Sequence, residues 1–187
     1  MEWIVSLDQA TIFWVQNHLV TGLLSPVMIG LSELGNFGAV WILTGIVMLG
    51  IKKYRRAGVG VFMALLFSLI MGNGILKHAV MRVRPCIDYP WMPMLVHVPN
   101  VNNFSFPSGH TFGSFAAATV MFSAMKRYWG IAALSLAAAI GFSRIYLFLH
   151  YPSDVFAGSI LGIIAGAAAW CLSGKLILCM KNTTVIK

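Results

Sequence analysis

Charged side chains are scarce in this sequence. Of its 187 residues, 10% are charged and 59% are hydrophobic, whereas a soluble domain carries roughly a quarter charged residues. So few charges cannot cover a water-facing surface. This excludes an ordinary soluble protein and indicates that lipid surrounds much of the chain. The length suits one compact membrane-embedded domain, residues 1–187, formed by a single helix bundle.

Cysteines and early cations are also few. The three cysteines, Cys86, Cys171 and Cys179, show no spacing typical of a zinc site. No Lys or Arg precedes residue 52, so the start of the chain lacks the cationic region of a cleavable signal peptide. We therefore expect no such signal there.

Long uncharged stretches, in contrast, are abundant. Residues 57–76 form a run of 20 residues without a charge, about the length of a helix that crosses the bilayer core. Comparable runs cover residues 9–32, 34–51, 111–125, 128–143 and 155–174. Helices satisfy their own backbone hydrogen bonds in lipid, and the two-residue alternation of a barrel is absent. The sequence therefore predicts an all-α integral membrane bundle of about six transmembrane helices.

The first of these stretches is the least regular. Asn17, His18 and Pro26 interrupt it, and proline removes a backbone donor from a helix. We therefore expect residues 1–20 to lie partly in the membrane interface rather than to cross fully.

The positive charges give the chain an orientation. Lys and Arg outnumber Asp and Glu by 13 to 5, but the cations are distributed between membrane segments in a way that does not suggest nucleic acid as a partner. Nine of them share one side of a path with six crossings: Lys52, Lys53, Arg55, Arg56, Lys126, Arg127, Lys175, Lys181 and Lys187. The positive-inside rule makes that side cytoplasmic, together with both termini. Cys86 would then face outward, so we expect no disulfide between it and either of the other cysteines.

The other cations lie on the outer side, against this rule. They are Lys77, Arg82, Arg84 and Arg144. All but Arg82 lie near ends of predicted segments that also carry Ser108, His110, His150 and Asp154. Ionisable groups at such a depth are costly and usually functional.

These residue types suit a phosphate group. A tetrahedral anion needs several donors, and arginine supplies a planar fork of them. Ser108 is placed to cap the helix that follows it, whose free N–H groups would favour an anion, and Gly109 permits a close backbone approach. Two histidines can divide the work, one attacking phosphorus and the other protonating the departing oxygen. Asp154, four residues after His150, is placed to orient that imidazole.

The longest outer connection, residues 81–107, is rich in proline. It contains Pro85, Pro90, Pro93, Pro99 and Pro107, so we predict an ordered or semi-ordered loop rather than a helix. Its apolar residues, among them Trp91, indicate a loop that rests on the lipid headgroups or forms a lid over the site.

Three short motifs connect these residues to a known family. Lys77 is followed after six residues by Arg84-Pro85; Pro107-Ser108-Gly109-His110 comes next; Ser143-Arg144 is followed after five residues by His150 and after three more by Asp154. In this order and spacing they resemble the three-part signature of the type 2 phosphatidic acid phosphatase family, with no departure at any signature position. With the six-segment layout, the resemblance extends over nearly the whole chain.

The resemblance implies a role for each residue. His150 would be the nucleophile that forms a phosphohistidine, with Asp154 as its partner, and His110 would be the general acid and then the base. The phosphoryl oxygens would be bound by Lys77, Arg84, Ser108, Gly109 and Arg144. The family needs neither a metal nor another cofactor, which agrees with a site rich in cations and poor in carboxylates.

Several polar residues lie outside the signature. Arg82 is expected to contact headgroups or to bind a second phosphate. Glu33 lies near the outer face and is expected to stay apart from the substrate rather than to contact it. Asn73 is expected to bond to a neighbouring helix or to position Lys77. His18, His78 and His97 are expected to be structural or incidental.

The composition, the three motifs and the family resemblance together predict an enzyme that removes phosphate from a membrane lipid phosphate or diphosphate. By analogy with small bacterial members of the family, the substrate would be undecaprenyl diphosphate, hydrolysed at the outer face of a bacterial inner membrane. Phosphatidic acid or phosphatidylglycerol phosphate would be alternative substrates, and phosphate transfer to another lipid an alternative reaction. Two alternatives belong to other classes of protein: a channel or transporter with charges inside the membrane, and a metalloenzyme. The sequence assigns no oligomeric state.

Overall fold

A computed structural model describes residues 2–185 of the chain, with side chains described for residues 2–178. Lys187 and the side chains of Cys179 and Lys181 therefore lie outside the described part. The helices are α1 Glu2–His18, α2 Leu24–Leu34, α3 Ala39–Gly50, α4 Arg55–Ser68, α5 Lys77–Val80, α6 Pro85–Asp88, α7 Gly109–Ala124, α8 Arg127–Tyr146 and α9 Pro152–Val185. No strand occurs within residues 2–185, which confirms the all-helical prediction.

The helices differ in whether they are long and apolar enough to cross a bilayer. Three helical stretches are: Lys52–Asp88, Arg127–Tyr146 and Pro152–Leu178. Leu24–Leu34 and Asn36–Gly50 qualify only together, as a pair bent by 51°. α1, with 17 residues, and α7, with 16, are shorter than these spans. Length and composition thus support three spans, or four with the bent pair, within residues 2–185.

The first apolar stretch differs from the prediction of one segment over residues 9–32. It forms two helices, and α1 ends at His18, directly after the polar Asn17. Pro26 lies in the first turn of α2, where a missing backbone N–H costs no internal hydrogen bond. The proline therefore starts a helix here instead of interrupting one.

Small residues hold the centre of the bundle together. α7 packs against both α8 and α9, and Ala116, Ala117 and Ala118 of α7 are fully buried. On α9, a methyl group on Gly158 would lie 2.9 Å from the Ser108 carbonyl, and one on Gly162 would lie 2.7 Å from the Phe112 carbonyl. Glycine spaced by four residues lets two helix backbones approach this closely in membranes. This contact fixes the start of α7 beside the start of α9.

A π-helical segment, Leu69–Leu76, connects α4 to α5. Such wide turns within long helices are frequent at functional sites. Here the segment packs against the start of α7: a methyl group on Gly109 would lie 3.0 Å from Asn73 Oδ1, and one on Gly72 would lie 3.0 Å from Phe112. Met81 then adopts a left-handed conformation, with φ of 49°, and ends α5. Lys77 is thereby brought to the same end of the bundle as the start of α7.

The proline-rich connection is mostly irregular, as predicted, but it is not free of helix. Pro85 opens the one-turn helix α6, at a position where proline is well tolerated. The Ser105 backbone N–H donates to the Arg82 carbonyl at 2.7 Å, which draws the end of the connection back to its beginning. Cys86 is buried and unpaired, and Cys171 is also a free thiol, in agreement with the expectation that these two form no disulfide.

Candidate active site

A cavity of about 650 Å³ opens between α3, α4, α7 and α8. Six of the eight predicted site residues line it: Lys77, Arg84, Gly109, His110, Arg144 and His150. They come from five separate parts of the chain, so the tertiary structure brings together residues that the sequence spaces up to 73 positions apart. Ser108 and Asp154 are fully buried behind this layer.

His150 occupies the turn between α8 and α9 and is buried. Its Nε2 lies 3.1 Å from a terminal nitrogen of Arg84, and its Nδ1 lies 3.3 Å from Ser105 Oγ. Burial, followed by the nearby Arg84 cation, holds the pKa of His150 well below its ordinary value. A neutral imidazole has a free nitrogen lone pair, which a nucleophile requires.

Asp154 accepts hydrogen bonds from three groups. Its Oδ2 accepts from Ser105 Oγ at 2.5 Å and from the Tyr151 backbone N–H at 2.9 Å, and its Oδ1 accepts from Arg82 at 2.7 Å. Its distance to His150 Nδ1 is 3.7 Å, longer than a hydrogen bond. The four-residue spacing thus brings the two side chains within ion-pair range without a direct hydrogen bond, while Ser105 and the Tyr151 backbone N–H bond the carboxylate.

Arg84 is held mainly by backbone carbonyls. It donates to Asn103 O at 2.5 Å and to Leu149 O at 3.0 Å, and it also contacts the Asn103 side chain. Lys77 Nζ donates to the same Asn103 Oδ1 at 3.1 Å. One asparagine of the proline-rich connection thus joins two of the predicted phosphate-binding cations.

Arg144 approaches the cavity from α8. It donates to Ser32 of α2 through one terminal nitrogen. Its Nε is buried and has no hydrogen-bond partner among the described residues. A buried donor without a partner is costly, and an anion in the adjoining cavity would supply the missing acceptor.

His110 lies on the first turn of α7, across the cavity from this network. Its Nε2 lies 2.8 Å from Asn36 Oδ1, in the bend between α2 and α3. Gly35 lies against the ring: a methyl group there would come within 2.8 Å of His110 Cδ2. His110 is half-buried, whereas His150 is 1% exposed.

The start of α7 partly matches the prediction. Ser108 is the helix cap, accepting from Thr111 N at 3.5 Å and from Thr111 Oγ1 at 2.9 Å. The Ser108 side chain is thereby turned into the helix, away from the residues that line the cavity. Gly109 lies at the cavity wall, where its missing side chain leaves room for Asn73.

The contacts of Arg82 differ from both roles expected for it. It pairs with Asp8 of α1 at 2.6 Å and with Asp154 at 2.7 Å, and its guanidinium lies over the Tyr151 ring. Asp8 also accepts from the Ser153 backbone N–H at 2.9 Å. Asp8 was not predicted as a site residue, although an acid inside an apolar stretch was an available signal. Arg82 therefore serves the support of Asp154 rather than a headgroup or a second phosphate.

Other residues that contact the site were also missed. Three of them lie in connections between helices and one lies on α2: Ser105, Asn103 and Asn36, and Ser32. Nothing in the local sequence marks these residues as part of a site. Glu33 is exposed and does not line the cavity, and His18 stacks on Trp14 away from it. Asn73 lines the cavity, and His78 contacts Phe104 at its edge. Within residues 2–178, no three His, Cys, Asp or Glu side chains cluster closely enough to hold a metal ion.

Comparison with known proteins identifies the family of the chain. Residues 57–178 match the sequence profile of the PAP2 superfamily. The chain is 28% identical to an undecaprenyl-diphosphatase of Sulfolobus acidocaldarius, over 81% of this chain and 71% of that one. It is 32% identical to a decaprenylphosphoryl-5-phosphoribose phosphatase of Mycobacterium tuberculosis, over 89% of this chain and 91% of that one.

A solved structure is similar as well. It is that of a transmembrane PAP2-type phosphatidylglycerolphosphate phosphatase from Bacillus subtilis, with a TM-score of 0.75 and 25% identity, covering 94% of this chain and 88% of that one. An all-helical membrane protein with a cationic two-histidine cavity thus has its counterparts among lipid phosphatases. The chain belongs to the PAP2 superfamily of membrane lipid phosphatases.

Proposed function

We propose that this protein hydrolyses the terminal phosphate of an isoprenoid diphosphate, undecaprenyl diphosphate, through a phosphohistidine intermediate. The observation that carries the proposal is the single cavity at which two histidines meet Lys77, Arg84 and Arg144. Three cations can neutralise a phosphoryl group and stabilise the charge that develops during its transfer. They would also repel a metal ion, so we propose a metal-independent reaction.

The two histidines have different surroundings, which support different roles. Neutral His150 would attack phosphorus, and the bond to the departing lipid phosphate would break with His110 as proton donor. His110 would then activate water to hydrolyse the phosphohistidine. Lys77, Arg84 and Arg144 would hold the phosphoryl oxygens, with the backbone at Gly109 close by and Ser108 acting through its cap of α7.

The remainder of the cavity is suited to a hydrocarbon chain. Trp41 and Ile42 of α3 and Phe62, Leu65, Leu66 and Leu69 of the α4 side line it. An apolar wall next to a cationic end matches the two parts of a lipid phosphate. It supports a lipid substrate over a channel or transporter, whose charges would extend through the membrane.

We further propose that the bent pair α2–α3 crosses the membrane once and that the site lies on the outer face of a bacterial inner membrane. Lys53 and Arg127 lie at the starts of the helices that lead to Lys77 and Arg144, and cations favour the cytoplasmic side. A cysteine introduced at residue 97, in a background without native cysteines, should react with an impermeant reagent in intact cells. One introduced at residue 126 should not, and the reverse labelling pattern would exclude an outer site.

Phosphatidylglycerol phosphate is the rival substrate, because the similar Bacillus subtilis structure is named for it. The test is phosphate release by the detergent-purified protein from undecaprenyl diphosphate, phosphatidylglycerol phosphate and phosphatidic acid, each with and without excess EDTA. We expect the diphosphate to give the highest kcat/KM, with no effect of EDTA. A higher kcat/KM for either glycerolipid would change the substrate, and loss of activity restored by a divalent ion would overturn the metal-independent mechanism.

A further inference from the structure

Ser105 lies between the two residues that the signature pairs with each other. Its Oγ is 2.5 Å from Asp154 Oδ2 and 3.3 Å from His150 Nδ1, whereas Asp154 and His150 are 3.7 Å apart. All three side chains are at most 1% exposed. Polar groups without access to water must satisfy their hydrogen bonds within the protein.

The available protons decide the direction of each bond. Arg84 has only donors, so the His150 Nε2 that faces it at 3.1 Å must be an acceptor. The proton of a neutral imidazole is then on Nδ1. The Ser105 hydroxyl has one proton, which the short contact assigns to the Asp154 carboxylate, and a lone pair remains to accept from Nδ1–H.

We propose that Ser105 is a positioning residue, which connects Asp154 to His150 and keeps the imidazole in the Nδ1–H form, so that Nε2, beside Arg84, stays unprotonated. This inference rests on the proposed role of His150 as nucleophile. Asp154 is itself fixed by Arg82 and by the Tyr151 backbone N–H, so the chain Asp154–Ser105–His150 has one rigid end.

The arrangement has a consequence for the covalent step. The Nε2 lone pair forms the P–N bond, and the electrons of the broken P–O bond leave with the lipid oxygen, which His110 protonates. The proton on Nδ1 stays in place, so the phosphorylated imidazole becomes cationic. Ser105 accepts from that cation while donating to the Asp154 carboxylate, and it thus transmits the stabilising negative charge.

The first test compares Ser105→Ala with Ser105→Thr, which keeps the hydroxyl. Ser173→Ala is the matched control, because Ser173 is an equally buried serine of α9 that bonds only to the Trp170 carbonyl. Farnesyl diphosphate with a radiolabelled terminal phosphate is the probe, and rapid quenching measures the rate of label transfer to the protein. We expect about a 100-fold slower transfer in Ser105→Ala, the size of loss that a misplaced reacting group produces, with KM little changed and with Ser105→Thr closer to wild type.

A second measurement depends on neither turnover nor a Ser105 variant. The imidazole nitrogen resonances of His150, assigned by their absence in His150→Ala, should show a protonated Nδ1 and an unprotonated Nε2 in the wild-type protein. The opposite tautomer would overturn the proposal, as would transfer by Ser105→Ala within threefold of wild type, or by folded Ser105→Thr as slow as by Ser105→Ala. Failure of the wild-type protein to become labelled would instead count against the proposed function.

Discussion

The two sides of the cavity are constructed differently. On one side, His150 lies in a fully buried network with Ser105, Asp154 and Arg84, reinforced from behind by Arg82. On the other side, half-buried His110 has one side-chain partner, Asn36, in a bend of the chain. A group that forms a covalent bond benefits from a fixed geometry. A group that exchanges protons with a leaving lipid and with water needs access to both, and the exposure of His110 provides it.

The largest expected effect breaks the fixed side. His150→Ala removes the attacking nitrogen, so no phosphoenzyme should form and turnover should fall by at least about 10⁴-fold. Rapid quench with labelled diphosphate measures both quantities. His18→Ala is the matched control, since His18 contacts Trp14 away from the cavity and its loss should leave the rate unchanged. If label is retained in His150→Ala, or is found on His110, the assignment of His150 as the nucleophile is wrong.

The second prediction breaks the accessible side. His110→Ala removes the proton donor, so hydrolysis of a lipid monophosphate should fall by roughly 10²- to 10⁴-fold. A diphosphate or an aryl phosphate has a less basic leaving group and should retain more of the first step. Comparison of single-turnover rates for phosphatidic acid and p-nitrophenyl phosphate measures the difference. Equal losses for both substrates would show that His110 is not the acid.

The third prediction concerns the ion pair between Arg82 and Asp154, behind His150. Arg82→Gln removes the charged donor to Asp154 Oδ1 and should slow label transfer by about tenfold, since a hydrogen bond to a charged group contributes roughly 1.5–3 kcal/mol. Asp8→Asn leaves that donor in place and should affect the rate less than threefold. Arg127→Gln, an exposed arginine at the far end of α8, is the matched control. A larger effect of Asp8→Asn on transfer would place the support in α1 instead.

The smallest effect is expected at the bend on the His110 side. Asn36→Ala removes the single side-chain partner of His110 and should lower kcat by roughly threefold to tenfold, because a neutral hydrogen bond contributes about 1 kcal/mol. The loss should be greater with a monophosphate, where acid assistance matters. Asn17→Ala, in exposed sequence at the end of α1, is the control. The same loss with every substrate would indicate that Asn36 binds phosphate rather than orienting His110.

The fold could be read from the sequence as far as helix class and approximate helix positions. Uncharged runs and Pro107-Ser108 marked where helices form and where α7 begins, because lipid and capping act locally. The first run was predicted as one segment but forms α1 and α2, since a proline near a helix start and one inside a helix look alike in sequence. The π-helical segment before Lys77 was not predicted; it packs against Phe112 and Gly109, which lie more than 30 positions later in the chain.

The residues that give the site its chemistry could be identified from the sequence. Lys77, Arg84, His110, Arg144 and His150 occur in a spacing that resembles the family signature, and all five line one cavity. Only the tertiary structure decided what holds them in place. Ser105 is 49 positions from Asp154, and Asp8 is 74 positions from Arg82. Hydrogen bonds and ion pairs between such residues arise from the packing of α7 on α9 and of α1 beside them, and no local pattern can encode them.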